Sequence, residues 1–122
     1  MLNEKCYVED LLTYLGKKWT LPILRYLFGH NKLRFNELMK HIGEITPRSL
    51  SQRLKELIGL GIINKQQFNE IPPRVEYSLT ESGRDLTNFF KGLEEWGKKW
   101  GEKTFLKTQF YRDEMLLSIK RE

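Results

Sequence analysis

Arg48, Ser49, Gln52 and Lys55 fall within one short stretch, and their side chains share one chemistry: each can donate a hydrogen bond to an acceptor-rich surface. The guanidinium fork of arginine fits the O6/N7 edge of guanine, and a glutamine amide fits N6/N7 of adenine. The stretch reads TPRSLSQRLKELIGLG, residues 46–61. Leu50, Leu54, Leu57 and Ile58 recur at the i, i+4, i+7, i+8 spacing of one buried helical stripe. At about 100° per residue, Arg48 and Gln52 point away from that stripe, with Lys55 beside them and Ser49 on the flank. Such a face suits a DNA major groove, and an ordinary solvated helix face would use the same residue types. Ser51, Arg53 and Lys55 fit phosphate contacts better than base contacts. For Arg53, which lies off the outermost line, an ion pair with a neighbouring acid is the competing reading.

Other chemistry finds little to work with. His30 and His41 are the only histidines and Cys6 the only cysteine, spaced unlike any structural zinc site. No phosphate-binding glycine loop is present, and Gly59-x-Gly61 lacks the third glycine of a dinucleotide fingerprint. The residues predict no enzyme, no metal and no cofactor. Cys6 has two readings: a passive small hydrophobe, or a thiol whose oxidation or alkylation changes DNA affinity.

The elements that must position these residues follow from the chain around them. The sequence has 122 residues, 39% hydrophobic and 30% charged, enough for one domain, 1–122, with a modest core. Apolar runs are too short for a membrane span, and the N-terminus has no signal-peptide layout. A cytoplasmic, nucleoid-associated protein is expected. Residues 1–79 hold 12 Lys and Arg against 8 Asp and Glu, whereas residues 80–122 hold 9 against 8, so the excess cation sits where a polyanion would bind.

Apolar positions 8, 11, 12 and 15 predict a first helix ended by Gly16. Residues 16–29 predict a second, with Trp19, Ile23, Leu24, Leu27 and Phe28 inward, Trp19 as core anchor and Pro22 in the first turn. A strand stub at 33–35 and a short helix at 36–42, capped by Asn36, come next. Thr46 as cap and Pro47 at the first position open the recognition-type helix, 46–60, and Gly59 and Gly61 close it. Residues 62–79 then form a hairpin in which Val75, Tyr77 and Leu79 alternate with polar residues, and Pro72 and Pro73 stiffen the loop. Helix, turn, amphipathic helix and hairpin in this order make a winged helix-turn-helix, mainly α with a small β wing. Arg74 at the hairpin tip is placed to reach a phosphate or the minor groove, and Arg34 and Asn36 are weaker backbone contacts. Thr80 caps a last helix in which Leu86, Phe89, Leu93, Trp96 and Trp100 step by 3, 4, 3 and 4, an a/d seam. That seam predicts a dimer interface in a C-terminal region, 80–122; folding back onto its own domain is the alternative. Residues 104–122 carry further apolar positions that fit a helix joining it.

These motifs together resemble the HxlR family of bacterial and archaeal transcriptional regulators, relatives of the MarR winged-helix proteins. The matching residues are Cys6, GKKWTLPIL at 16–24, RFNEL at 34–38, ITPRSLSQRLKEL at 45–57, GII at 61–63, PPRVEYSLTESG at 72–83 and Trp96-Gly97. The resemblance implies a homodimer with N- and C-terminal dimerisation helices that binds double-stranded DNA at an inverted repeat, usually as a repressor and sometimes as an activator. It implies that helix 46–58 enters the major groove with the hairpin around Arg74 beside it. It also implies, for Cys6, the sensing of oxidants or electrophiles found in several members, so a small-molecule or oxidant effector is expected. The competing function is a winged helix used for protein interaction, whose exposed face should carry aliphatics or acids rather than Arg48, Gln52 and Lys55.

Overall fold

The computed structural model describes residues 6–101. In chain order these form α1 (Tyr7–Leu15), α2 (Thr20–Gly29), β1 (Leu33–Arg34), α3 (Phe35–Ile42), α4 (Pro47–Gly59), β2 (Ile63–Phe68), β3 (Arg74–Leu79) and α5 (Glu81–Trp100). The chain divides into two units, Met1–Thr87 and Asn88–Glu122, and α5 runs from the first into the second. The expected helix within 104–122 lies outside the described residues.

α4 begins where its cap dictates. The Thr46 hydroxyl accepts the Ser49 N–H at 3.1 Å, and Pro47 follows at the first helical position, where its missing N–H leaves no bond unmade. Its end is equally specific. Ile62 N–H donates to the Leu57 carbonyl and Gly61 N–H to the Ile58 carbonyl, both at 3.0 Å, the paired bonds of a Schellman motif. Gly61 supplies the φ of +76° that this turn requires, whereas Gly59 remains the last helical residue. Leu50, Leu54 and Leu57 are buried and Ile58 half-buried, as the periodicity predicts. With Ile23, Leu24 and Leu27 of α2, Leu38 of α3, and Leu33, Ile45, Ile62, Ile63, Tyr77 and Leu79, the three α4 leucines belong to the buried core of the first unit.

The sheet has the order β1-β3-β2 and is antiparallel throughout. β3 pairs with β2 from Ile63↔Leu79 to Phe68↔Arg74, and with the two-residue β1 through Leu33↔Tyr77 and Arg34↔Glu76. The hairpin is rooted by Thr80. Its hydroxyl lies 2.6 Å from the Gly61 carbonyl and accepts the Gly83 N–H at 3.1 Å, so one side chain caps α5 and ties it to the corner after α4. Gly83 is buried against that corner; a Cβ there would overlap the Ile62 carbonyl oxygen. Only glycine permits this approach of helix to wing.

Three local expectations need correction. Trp19 belongs neither to the body of α2 nor to the core: it is the N-cap residue, half-buried, with φ of +80°. Its left-handed conformation takes it out of the helical repeat, and the buried anchor is Thr20, 1% exposed, whose hydroxyl reaches the Tyr14 carbonyl. Asn36 does not cap α3; the helix starts one residue earlier with Arg34 as its N-cap, and Glu37 reaches back to accept the Arg34 backbone N–H at 2.8 Å. The strand stub ends at Arg34, because Phe35 already belongs to α3. At the start of the chain, α1 opens at Tyr7, and Cys6 is its N-cap.

Candidate nucleic-acid interface

The buried leucines of α4 fix which of its side chains meet solvent. Arg48, Ser51, Gln52 and Lys55 are exposed along one side, and Ser49 is half-buried on the flank, where its hydroxyl accepts from Thr46 at 3.0 Å. The helix contains one acid, Glu56, and its side chain is only 15% exposed. The outward row is therefore made of donors and cations, without a carboxylate to repel phosphate.

Glu56 is withdrawn because three donors converge on its Oε1. Lys17 Nζ lies at 3.1 Å, Gln52 Nε2 at 3.2 Å and Arg53 Nη2 at 3.3 Å. Lys17 belongs to the corner between α1 and α2, so this carboxylate joins that corner to the candidate recognition helix across 39 positions of sequence. Burial alone would raise the pKa of Glu56, but hydrogen bonds from Gln52 and Lys17 and the charges of Arg53 and Lys17 outweigh it. The carboxyl consequently titrates below its ordinary 4.5. Arg53 is half-buried and committed to this ion pair, the competing reading given for it above.

The wing carries a second partnered arginine. Arg74 stacks on Phe68, 4.0 Å from the ring centroid, and its guanidinium meets Glu70 at 3.3 Å and Glu76 at 3.8 Å. Its charge is turned along its own hairpin. Glu76 also takes Lys32 at 3.6 Å. Two features of this surface escaped sequence reasoning. Asn64, Lys65, Gln66 and Gln67 are all exposed on β2, donor-bearing side chains that alternate between its two faces and whose only signal was the polar run NKQQ between apolar ends. Glu56 was passed over because periodicity marks a face, not a partner distant in sequence. Arg34 and Asn36 are exposed around the start of α3, Arg34 in β1 opposite Glu76.

Beyond this face, Phe89, Leu93, Trp96 and Trp100 of α5 are 81%, 64%, 52% and 39% exposed, while Leu86 is half-buried. On α1, Tyr7, Val8 and Leu12 are exposed as well. Cys6 Sγ accepts the Glu9 N–H at 3.5 Å, which makes the single thiol the cap of α1. His30 and His41 stand at the surface with ring centroids 4.8 Å apart, and His41 stacks on Tyr26. Among the described residues no group of three or more His, Cys, Asp or Glu is placed to hold a metal ion, and no helix is long and apolar enough to cross a membrane.

Comparison with known proteins gives a consistent result. The family model described as HxlR-like helix-turn-helix matches residues 14–105. A helix-turn-helix-type transcriptional regulator of Methanothermobacter thermautotrophicus is 43% identical over 96 residues, which cover 79% of this chain and 72% of that protein. Among solved structures, the reduced form of the transcriptional regulator YodB from B. subtilis superposes with a TM-score of 0.74 at 33% identity, covering 85% of this chain and 99% of that one. The redox regulator HypR in its reduced form gives a TM-score of 0.71 at 38% identity, covering 84% and 99%.

The depressed Glu56 carboxyl has a stability signature. Its contribution is present in full above the ordinary value of 4.5 and is lost as pH falls through the lowered folded-state value. Thermal melts across this range should show wild type above Glu56→Gln near neutral pH, with the gap closing in acid. A gap independent of pH would mean that the charge of Glu56 adds nothing to the fold.

Proposed function

The chain belongs to the HxlR-like helix-turn-helix family and is a transcriptional regulator of the winged helix-turn-helix class, and from that premise we propose that it acts as a homodimer recognising an inverted-repeat operator, as a repressor. The observation that carries this reading is the α4 face: Arg48, Ser51, Gln52 and Lys55 exposed in one row, with the helix's only acid drawn inward. Two such helices would enter successive major grooves about 34–36 Å apart. Arg48 and Gln52 take base edges, with Ser49 beside them, while Ser51 and Lys55 hold phosphates. Arg34 and Asn36 add backbone contacts from the start of α3. Arg53 reaches a phosphate only by sharing its guanidinium with Glu56, and Arg74 only by loosening its hold on Glu70. Occupying a promoter is the simplest action of a small DNA-binding dimer, and it supports repression as the sign of control.

The exposed Phe89, Leu93, Trp96 and Trp100 support dimerisation, because a contiguous aromatic and aliphatic row of this kind gains most by being covered. A second copy supplies that cover. Cys6 gives the regulator a means of response. Its sulfur caps α1, so converting the thiol to a disulfide alters the start of that helix. With one cysteine per chain, two thiols must come together: Cys6 of each copy, or Cys6 and a small thiol. They surrender two electrons and two protons to an oxidant such as diamide as the S–S bond forms. That HypR is a redox regulator supports this use of Cys6.

Fluorescence anisotropy on duplexes tiled from upstream of the gene should find one palindromic fragment bound tightly and with steep salt dependence. Arg48→Ala should weaken that complex about tenfold or more, while leaving weak binding to other fragments little changed. Equal loss on every fragment would remove Arg48 from base reading. Diamide should shift the affinity of wild type and leave Cys6→Ser unmoved; an identical response in both would return Cys6 to a passive role. In sedimentation, Leu93→Asp should run as a monomer where wild type runs as a dimer. A dimeric Leu93→Asp would place the interface elsewhere.

A further inference from the structure

Glu56 does more than fill a gap. A glutamine amide has two ends of opposite character, and which end meets a base decides what it recognises: Nε2 donates and Oε1 accepts. In an exposed glutamine the two orientations interchange freely. Here Gln52 Nε2 lies 3.2 Å from Glu56 Oε1, and an ionised carboxylate can only accept. The reversed amide would set carbonyl oxygen against carboxylate oxygen. Glu56 is held in its charged form by Lys17 and Arg53, both on the same oxygen, and only 15% of its side chain is exposed. The amide of Gln52 is therefore set by a partly buried, ion-paired neighbour one helical turn away.

We propose that Glu56 is a positioning residue for DNA recognition: by binding Gln52 Nε2 it turns Gln52 Oε1 toward the groove and makes that position read a base with an exocyclic amino group. In the major groove adenine offers N6–H2 and cytosine N4–H2, whereas thymine and guanine offer the acceptors O4 and O6. Adenine is favoured over cytosine, because the second Nε2 hydrogen remains for its N7. Lys17 takes part only through Glu56. The inference rests on the operator reading above, and specifically on Gln52 facing a base.

The test is site selection from a random duplex library by the full-length protein and its variants, each checked for folding by circular dichroism. Gln52→Ala identifies the base position, as the one whose preference disappears. Wild type should show adenine or cytosine there. Glu56→Gln can accept or donate at residue 56 and no longer fixes the amide of Gln52, so it should admit thymine and guanine at that position. The preference should fall about tenfold there while the rest of the motif is kept. Lys17→Met should lower the melting temperature and leave the preference intact, which separates positioning from stability. If Glu56→Gln does not fold, Glu56→Asp replaces it: it keeps the charge but shortens the reach to Gln52, and the same relaxation is expected. A thymine or guanine at the wild-type position, or a motif that neither Glu56 variant changes, overturns the inference alone. So does a motif indifferent to Gln52→Ala, which would leave operator recognition to Arg48. A library from which wild type enriches no sequence overturns the operator reading and this inference together.

Discussion

The rotation of α4 about its own axis is the constraint on which the rest depends. Leu50, Leu54 and Leu57 are essentially removed from solvent, and turning the helix by one residue, about 100°, would drag Arg48 or Gln52 toward the core and expose leucine instead. Burying such side chains is worth about 1.5–3 kcal/mol each, whereas an exposed hydrogen bond or ion pair is worth about 1 kcal/mol or less. Apolar packing therefore decides the rotation, and the polar contacts refine it. Thr46 and the Schellman turn at Gly61 set the two ends of the helix, so its phase and its length are both determined.

That hierarchy explains what could be read from the residues alone. α4, its cap, its buried stripe and its outward row follow from local periodicity and terminal chemistry, and the structure agrees with them nearly to the residue. The alternation of Val75, Tyr77 and Leu79 marks the wing in the same way. What escaped are features decided by tertiary partners. Trp19 looked like the start of a helical repeat because its spacing fits one, but the α1–α2 corner takes it into a left-handed conformation and puts Thr20 in the interior. Asn36 is the better capping residue by type, yet β1 pairing carries the chain extended through Arg34, and the helix starts from there. The surroundings of Glu56 depend on Lys17, and those of Arg74 on Phe68 across the hairpin; neither pairing has a local signal.

The two ends of the first unit's design meet in small, well-defined corners. Lys17 joins the α1–α2 corner to α4 through Glu56, and Thr80 joins the start of α5 to the turn after α4. Between them the candidate recognition helix is held from both of its flanks by side chains that lie outside its own residues. Cys6 begins the helix that leads into the first of these corners, so a thiol-driven change of the proposed kind would have a short covalent and ionic route to the α4 face.

The pairing of Arg74 within its own hairpin bears on how such a protein moves over a genome. An arginine already neutralised by Glu70 does not seek out a phosphate indiscriminately; binding to an arbitrary stretch of duplex must first replace a contact that is already made. With α4 anchored on a matching site, as proposed above, that exchange would become intramolecular and correspondingly easier. A wing used in the proposed way would shorten the residence on irrelevant sequence while adding to the lifetime on the right one, and the ratio of those two times, rather than affinity itself, is what a regulator searching a long chromosome must maximise.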